Sequence, residues 1–225
     1  MTRLLDVLFS GMALLVFLPF GLLIALGLRF TGEGEVFYTQ ERIGQGGRPF
    51  GLLKFATMLK NSPSIGSGDI TVKGDPRVLP VGRVLRRTKL NEIPQLLNIL
   101  SGDMSIVGPR PQTPKNFEYF PPEYREMIAS MRPGLTGIGS IVFRDEESIV
   151  SKTGLPVEAC YREIIGPYKA ELEHWYEGNR SLGTYLALIA ITAWVVLRPA
   201  SRVYRRTWLS LPPLPPLLEG VAESN

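Results

Sequence analysis

The chain has 225 residues, of which 44% are hydrophobic and 20% charged, and its formal net charge is +4. This composition excludes a disordered chain and a bundle built only of membrane helices, and the length allows one sizeable core. Its single cysteine, Cys160, cannot form an internal disulfide, and its single histidine, His174, has no second histidine or cysteine close in sequence. We therefore expect neither a disulfide framework nor zinc or Ser-His-Asp chemistry.

The N-terminal apolar run, residues 4–28, contains one charged side chain, Asp6, and as a helix is long enough to cross a bilayer. Pro19 removes a backbone hydrogen bond near its middle, which predicts a kink. Arg3 precedes the run and Arg29 follows it, so the positive-inside rule favours the cytoplasm for both ends. The residues alone leave two forms open, a spanning helix and a re-entrant helix that breaks at Pro19.

The next apolar elements are two β-rich stretches, residues 36–43 and 49–55, separated by a glycine-rich turn. This pattern predicts a β-hairpin, and the glycines indicate turn chemistry because no helix follows them as in a phosphate-binding loop. The polar, Gly- and Ser-rich stretch at 61–78 is predicted to be a loop that could be mobile and act as a lid.

A second apolar run, residues 182–197, is about 24 Å long as a helix, which is short for a membrane span. Trp194 lies within this run and a cluster of arginines follows it, which predicts a buried or interfacial helix facing anionic membrane lipid. The last residues are rich in proline and leucine and are predicted to be an extended tail. The sequence thus divides into four segments, an N-terminal membrane helix at 1–30, a central domain at 31–180, an apolar helix with a basic end at 181–207 and a tail at 208–225.

The stretch most indicative of chemistry is RRTKLNEIPQLLNILSGDMSIVGPRP, residues 86–111. Asn91 has the properties of an N-cap for a helix that Gly102 ends, and the start of such a helix presents free N–H groups and a positive dipole. Arg86 lies just before this helix and Arg110 follows it, an arrangement that favours phosphate and, through the forked guanidinium groups, a diphosphate. Glu92 in such a pocket indicates either a divalent cation or a catalytic carboxylate.

A simpler interpretation of the same stretch also remains open. The arginines could merely solvate one face of the helix or pair with the carboxylates of Asp103 and Glu92.

Three blocks follow one another along the chain: QERIGQGGRPFGLLKFATM, DPRVLPVGRVLRRTKLNEIPQLLNILSGDMSIVGPRP and RPGLTGIGS. With these blocks the sequence resembles the bacterial sugar transferases, the monotopic phosphoglycosyl transferases that act on polyprenyl phosphate, over about residues 3–198. We expect a small α+β domain, mostly helical with a short β-hairpin. The resemblance implies that a re-entrant N-terminal helix broken at Pro19 anchors this domain to the cytoplasmic face of the bacterial inner membrane.

The resemblance also implies a reaction. A sugar 1-phosphate passes from a nucleoside diphosphate sugar, commonly a UDP-sugar, to polyprenyl phosphate with Mg²⁺, and a nucleoside monophosphate is released in the first membrane step of surface glycan synthesis. The family's phosphate-binding arginines match Arg86 and Arg110, and Arg144 is the best match for a third. The acidic dyad that performs catalysis and contacts the metal falls on Asn91 and Glu92.

The chain departs from the family's pattern at Asn91, where the family carries its nucleophilic aspartate. A neutral amide has neither the charge nor the basicity to attack phosphorus. Three explanations remain open: an Asp→Asn change introduced to trap substrate, a native variant that uses another carboxylate such as Asp145 or Glu146, and direct attack by the lipid phosphate.

Two other functional classes compete with the transferase. The departure at Asn91 leaves open a membrane-bound sugar-nucleotide binder or scaffold without turnover. Nucleic-acid binding is not expected because the arginines lack interleaved aromatic residues. The sequence does not decide the oligomeric state, and a homodimer is compatible with it.

Overall fold

The computed structural model describes residues 2–31, 33–65, 70–71, 74–198, 201–208 and 210–218. These residues form a mixed α+β structure, mostly helical with a short antiparallel hairpin, as predicted. The helices are α1 (Thr2–Arg29), α2 (Pro80–Arg87), α3 (Gln95–Ser101), α4 (Pro114–Phe117), α5 (Pro122–Ser130), α6 (Ile138–Val142), α7 (Glu146–Thr153), α8 (Val157–Cys160), α9 (Gly166–Gly178), α10 (Leu182–Leu197) and α11 (Val203–Thr207). The strands are β1 (Phe37–Ile43), β2 (Pro49–Phe55), β3 (Ser105–Val107) and β4 (Gly134–Thr136).

The predicted hairpin is confirmed. Strands β1 and β2 pair antiparallel, with Phe37 opposite Phe55 at the open end. Between them Gly46 and Gly47 adopt positive φ angles of 71° and 74°. Glycine reaches this region without the steric cost that a side chain brings, so the glycines do serve the turn, as predicted.

The short strands β3 and β4 form a separate parallel pair, in which Ser105 lies opposite Gly134. The backbones approach so closely here that a Cβ on Gly134 would lie 2.1 Å from the backbone nitrogen of Gly108. Gly134 in turn donates its N–H to the carbonyl of Pro109 at 2.8 Å. The pairing therefore joins the GDMSIVGPRP and RPGLTGIGS blocks and holds the backbone just before Arg110.

Helix α1 lies against the rest of the protein near both of its ends. Arg3 donates to the carbonyl oxygens of Ile99 at 2.5 Å and Leu100 at 2.9 Å, at the end of α3. At the other end, Leu28 is buried in a cluster with Phe55 and Leu85. Between these contacts, residues 15–20 are exposed.

Helix α1 is continuous from Thr2 to Arg29 and contains Pro19, so the predicted break at Pro19 is not seen. Among the described residues α1 is the one helix long and apolar enough to cross a membrane. Its re-entrant course therefore stays a prediction.

The only acidic residue of α1, Asp6, is 1% exposed. Its carboxylate accepts hydrogen bonds from the Ser105 hydroxyl and the Ile106 N–H, each at 2.9 Å, and from the Tyr185 hydroxyl at 2.8 Å. A buried carboxylate with several donors is satisfied, whereas an unpaired one would be very unfavourable. This cluster attaches α1 to β3 and α10, a role that the sequence pattern did not predict for Asp6.

Helix α10 coincides with the second apolar run. It buries Leu188 and Ile191 in the main core, and it leaves Leu186, Trp194 and Leu197 exposed. One apolar face of α10 is therefore buried in the core and another is exposed, which is compatible with an interfacial helix.

The described part of the C-terminal tail packs on α9. The Tyr168 hydroxyl donates to the carbonyl of Pro212 and the Trp175 indole to the Ser210 hydroxyl, each at 3.0 Å, and Leu218 is buried. The composition of the tail did not predict this packing.

The loop predicted at 61–78 is organised by a buried cation. Arg77, 3% exposed, forms a 2.6 Å ion pair with Asp75 and donates to the carbonyls of Ser62 and Ile70. These bonds hold the two sides of the loop together. The proposed mobile lid would include residues 66–69 and 72–73, which lie outside the described residues.

Candidate active site

The first arginine of the site is positioned by close packing of α2. A Cβ on Gly82 would lie 2.1 Å from the carbonyl oxygen of Thr57, so only glycine allows α2 to sit this close to the chain after β2. In the last turn of α2, Arg86 donates through Nη2 to Oε1 of Glu147 at 2.8 Å. Its other terminal nitrogen lies 3.8 Å from the sulfur of Met58.

The dyad lies in a 3₁₀ turn, Leu90–Glu92, and not at the first turn of an α-helix. Lys89, just before it, has a φ of 61°, an unfavourable conformation for a residue with a side chain and one often found near functional sites. Helix α3 begins only at Gln95 and ends at Gly102, where φ is 100°. The predicted end at Gly102 is confirmed.

The predicted N-cap role of Asn91 is wrong, because the intervening 3₁₀ turn moves its side chain away from the start of α3. Asn91 is 6% exposed, and its Oδ1 has no hydrogen-bond partner among the described residues. An unsatisfied buried amide oxygen is unfavourable for the free protein. It is also an available ligand for a cation or a hydrogen-bond donor.

Glu92 is paired with Arg110, whose Nη2 lies 2.8 Å from Oε1 of the carboxylate. Burial by itself raises the pKa of Glu92, but the charge of Arg110, supported by Lys89 and by the hydrogen bond, outweighs burial and lowers the pKa to about 2. Glu92 is therefore ionised at physiological pH. The simpler sequence interpretation was right for this pair, whereas Asp103 bonds to the Ser101 hydroxyl instead.

A further basic side chain, Lys54 on β2, belongs to the same electrostatic environment and was not predicted. Desolvation lowers its pKa well below the ordinary value, the charge of Arg42 lowers it further, and Glu92 opposes both. The only sequence signal was its place in the GLLKFATM part of the first block. A phosphate bound close to this lysine would favour its protonated form.

Behind Arg110 lies a second carboxylate, Glu146, in the first turn of α7. Its Oε1 is 2.6 Å from Nζ of Lys169, a lysine that is 6% exposed. Burial raises the pKa of Glu146, but the lysine charge, hydrogen bonds from Lys169 and Tyr161, and the charge of Arg110 together lower it. Glu146 is thus an ionised group held in place by the core.

The third predicted arginine, Arg144, has a different setting. Its Nη2 lies 3.5 Å from the carbonyl of Val196 near the end of α10, and its Nη1 is buried without a partner among the described residues. Desolvation lowers the pKa of Lys89, and the charges of all three predicted arginines lower it further. The three arginines are therefore all near enough to Lys89 to act on its charge, with Arg144 on the side of the apolar helix.

The residues present fit a magnesium ion. The buried Oδ1 of Asn91 has no partner in the described chain and Glu92 is ionised, so both offer hard oxygen ligands. In the part of the chain that the structure describes, no group of three or more histidine, cysteine or acidic side chains is close enough to hold a metal. Mg²⁺ commonly binds in such places through one or two protein ligands, water and substrate phosphates.

Sequence comparison agrees with this arrangement. The sequence profile of the family described as bacterial sugar transferase matches residues 1–199. The UDP-glucose:undecaprenyl-phosphate glucose-1-phosphate transferase of Caulobacter vibrioides is 40% identical over 144 residues, 62% of this chain and 52% of that protein. The exopolysaccharide production protein ExoY of Rhizobium meliloti is 37% identical over 167 residues, 68% of this chain and 74% of that protein.

A longer alignment is found with the undecaprenyl-phosphate galactose phosphotransferase of Salmonella typhimurium, 30% identical over 211 residues, which cover 87% of this chain but 40% of that protein. The chain spans about half the length of the Caulobacter transferase. The family profile nevertheless covers the N-terminal apolar helix, both sheets and every residue of the site described above. The chain belongs to the bacterial sugar transferase family.

Proposed function

We propose that this chain transfers a sugar 1-phosphate from a nucleoside diphosphate sugar, of the UDP class, to polyprenyl phosphate and releases the nucleoside monophosphate. The observation that carries the proposal is the placement of Arg86 and Arg110 around the Asn91–Glu92 turn. Relatives named for UDP-glucose and undecaprenyl phosphate support the choice of donor and acceptor. The lipid product would be a polyprenyl diphosphate sugar, which is a precursor of surface glycan.

In this proposal Arg86 and Arg110 bind the diphosphate. Each guanidinium group is paired with a partly exposed carboxylate, Glu147 or Glu92, and a diphosphate can compete for its remaining donors. Asn91 and Glu92 would hold Mg²⁺, which neutralises charge on the phosphates. The bound phosphates would in turn favour the protonated form of Lys54, which burial disfavours in the free protein.

The acceptor would reach the site from the membrane side. Arg144 lies beside the end of α10, whose outer face exposes Leu186 and Trp194. A lipid phosphate needs a cation at the boundary between apolar and polar surroundings, and Arg144 occupies such a position. We therefore assign Arg144 to the acceptor phosphate and Arg86 and Arg110 to the donor.

The same proposal places both ends of α1 on the cytoplasmic face of the bacterial inner membrane. Arg3 and Leu28 both contact the central domain, while residues 15–20 around Pro19 are exposed and apolar. A straight span would put its ends about 30 Å apart on opposite faces, and one domain could not contact both from the cytoplasm. A re-entrant helix, with the exposed residues 15–20 in the membrane, accounts for these contacts.

A second candidate function, a sugar-nucleotide binder without turnover, is favoured by Asn91 alone. The test is release of nucleoside monophosphate from UDP-glucose, UDP-galactose and UDP-N-acetylgalactosamine, with and without polyprenyl phosphate, in Mg²⁺ and in EDTA. Turnover that needs lipid acceptor supports the transferase. Donor binding without turnover by this chain, with turnover restored in Asn91→Asp, would support the binder.

A further inference from the structure

The dyad of this chain holds one carboxylate where the family pattern has two, yet another carboxylate reaches the site from α7. Glu147 lies 61 positions after Arg86 in sequence, and its Oε1 accepts a 2.8 Å hydrogen bond from Nη2 of that arginine. The side chains of Arg86 and Glu147 are 27% and 41% exposed. The pair is thus open to a ligand that approaches the arginine.

Stability does not explain this pair. Ion pairs at such exposure contribute little to folding because water screens the charges and two long side chains lose freedom. By contrast, the core encloses the pair Lys169–Glu146, whose lysine and glutamate side chains are 8% and 22% exposed. The Arg86–Glu147 pair is therefore not needed for folding, and the Glu147 carboxylate stays accessible to a ligand.

The other carboxylates near the site are less suited to attack phosphorus. Glu92 is held by Arg110 in a 2.8 Å ion pair, and its side chain is only 14% exposed. Glu146 is fixed by Lys169 behind Arg110. Asp145 is exposed and acts on Arg144, on the side that faces α10.

A donor bound to Arg86 would lie close to the Glu147 carboxylate. A phosphate oxygen bound to Nη2 of Arg86 would lie about 2.9 Å from that nitrogen, as Oε1 of Glu147 already does. Two oxygens on one nitrogen are at most about 5.8 Å apart, and bending the hydrogen bonds brings them closer. A rotation of the glutamate side chain would have to close the remaining gap to a near-attack separation of about 3–3.5 Å from phosphorus.

We propose that Glu147 is the covalent nucleophile that Asn91 cannot be. This inference rests on the proposed function. A Glu147 carboxylate oxygen forms a bond to the sugar-bearing phosphorus, the bond from that phosphorus to the bridging oxygen breaks, and its electron pair leaves on the nucleoside monophosphate. An oxygen of polyprenyl phosphate then attacks the same phosphorus, and the Glu147 carboxylate leaves unchanged. Arg86 orients the glutamate first and the phosphate next.

The test uses the full chain in nanodiscs. The donor is the UDP-sugar that shows turnover, chosen from UDP-glucose, UDP-galactose and UDP-N-acetylgalactosamine, and it carries a label in the sugar. Without acceptor, we expect a burst of nucleoside monophosphate near one per protein and a phosphosugar adduct in the intact mass. Hydroxylamine should convert this acyl phosphate to a hydroxamate located at Glu147. In Glu147→Gln the burst and adduct should vanish and turnover should fall at least about 10³-fold, while donor binding persists or tightens because Arg86 is released.

Glu158→Gln is the matched control, since it makes the same change at an exposed glutamate on α8, and we expect its burst to be unchanged. If the chain turns over but forms no phosphosugar adduct in the absence of acceptor, Glu147 is not a covalent nucleophile, although the proposed function still holds. An adduct that persists in Glu147→Gln would also overturn it, as would unchanged turnover with tighter donor binding, the behaviour of a mere counter-ion. No turnover with any donor would overturn the proposed function and this assignment together.

Discussion

The carboxylate of Asp6, in the apolar N-terminal helix, accepts a 2.8 Å hydrogen bond from the hydroxyl of Tyr185, a residue 179 positions later in the chain. Both side chains are almost completely buried, at 1% and 2% exposure. The bond joins the first membrane-associated helix to the second apolar helix. It makes α1 part of the folded domain, and a detachable anchor would not need such a contact.

Replacing Asp6 by alanine should therefore destabilise the protein strongly. The Ser105 hydroxyl, the Ile106 N–H and the Tyr185 hydroxyl would lose their acceptor, which costs on the order of 3 kcal/mol or more in the free energy of unfolding. Thermal unfolding in detergent measures this loss. Tyr185→Phe removes one donor and should cost less, and the exposed Asp103→Ala should cost little. Equal shifts for Asp6→Ala and Asp103→Ala would contradict the anchoring role.

The topology of α1 is tested by labelling single cysteines placed at position 2 and position 33 in a Cys160→Ser background. Both should react with an impermeant thiol reagent only from the cytoplasmic side, because the two ends of α1 contact one domain. Replacing Pro19 by leucine restores a backbone hydrogen bond and should favour a straight span with position 2 outside. Labelling of position 2 from the outside in the unaltered helix would rule out the re-entrant form.

Arg110→Ala should lower turnover more than it lowers stability. The variant loses a charged donor to the diphosphate, which corresponds to on the order of 2–4 kcal/mol of transition-state stabilisation. It also removes the main charge that keeps the pKa of Glu92 near 2, so an acidic limb of the pH–rate profile should move to higher pH. Arg83→Ala, an exposed arginine on α2, is the control and should leave rate and profile unchanged. An unaltered rate in Arg110→Ala would remove this arginine from the site.

Stability should depend on pH through Glu173 on α9. This carboxyl is 3% exposed, accepts the Gly139 N–H, and burial outweighs the charge of Lys169 to raise its pKa from 4.5 to about 8. Between these values the folded state holds a proton that the unfolded state has released, so stability falls as pH rises from about 5 to 8, by roughly 4 kcal/mol.

Glutamine at position 173 imitates the protonated acid and cannot ionise. The Glu173→Gln variant should therefore gain thermal stability over the unaltered chain as pH rises to 8, with little difference near pH 5. Glu171→Gln, exposed on the same helix, should show no such trend. A constant difference at every pH would mean that Glu173 is ionised in the folded state.

Local patterns along the chain were sufficient for the elements and for the family. Alternating and glycine-punctuated stretches predicted the β1–β2 hairpin, the apolar run predicted α10, and Gly102 predicted the end of α3. These features depend on a few neighbouring residues, whose backbone preferences and hydrophobic periodicity act locally. The motif blocks also indicated that Arg86, Arg110 and Glu92 belong to one site.

Only the tertiary structure decided how distant residues combine. The cap interpretation of Asn91 failed because the left-handed Lys89 and the 3₁₀ turn, set by packing around them, move the amide away from the start of α3. Likewise Glu147 meets Arg86, and Asp6 meets Tyr185, through contacts across 61 and 179 positions. The sequence by itself determined which charges the protein carries and which segments are apolar. Which carboxylate faces which cation depends on long-range packing, because ion pairs form between groups that the folded core brings within a few ångströms.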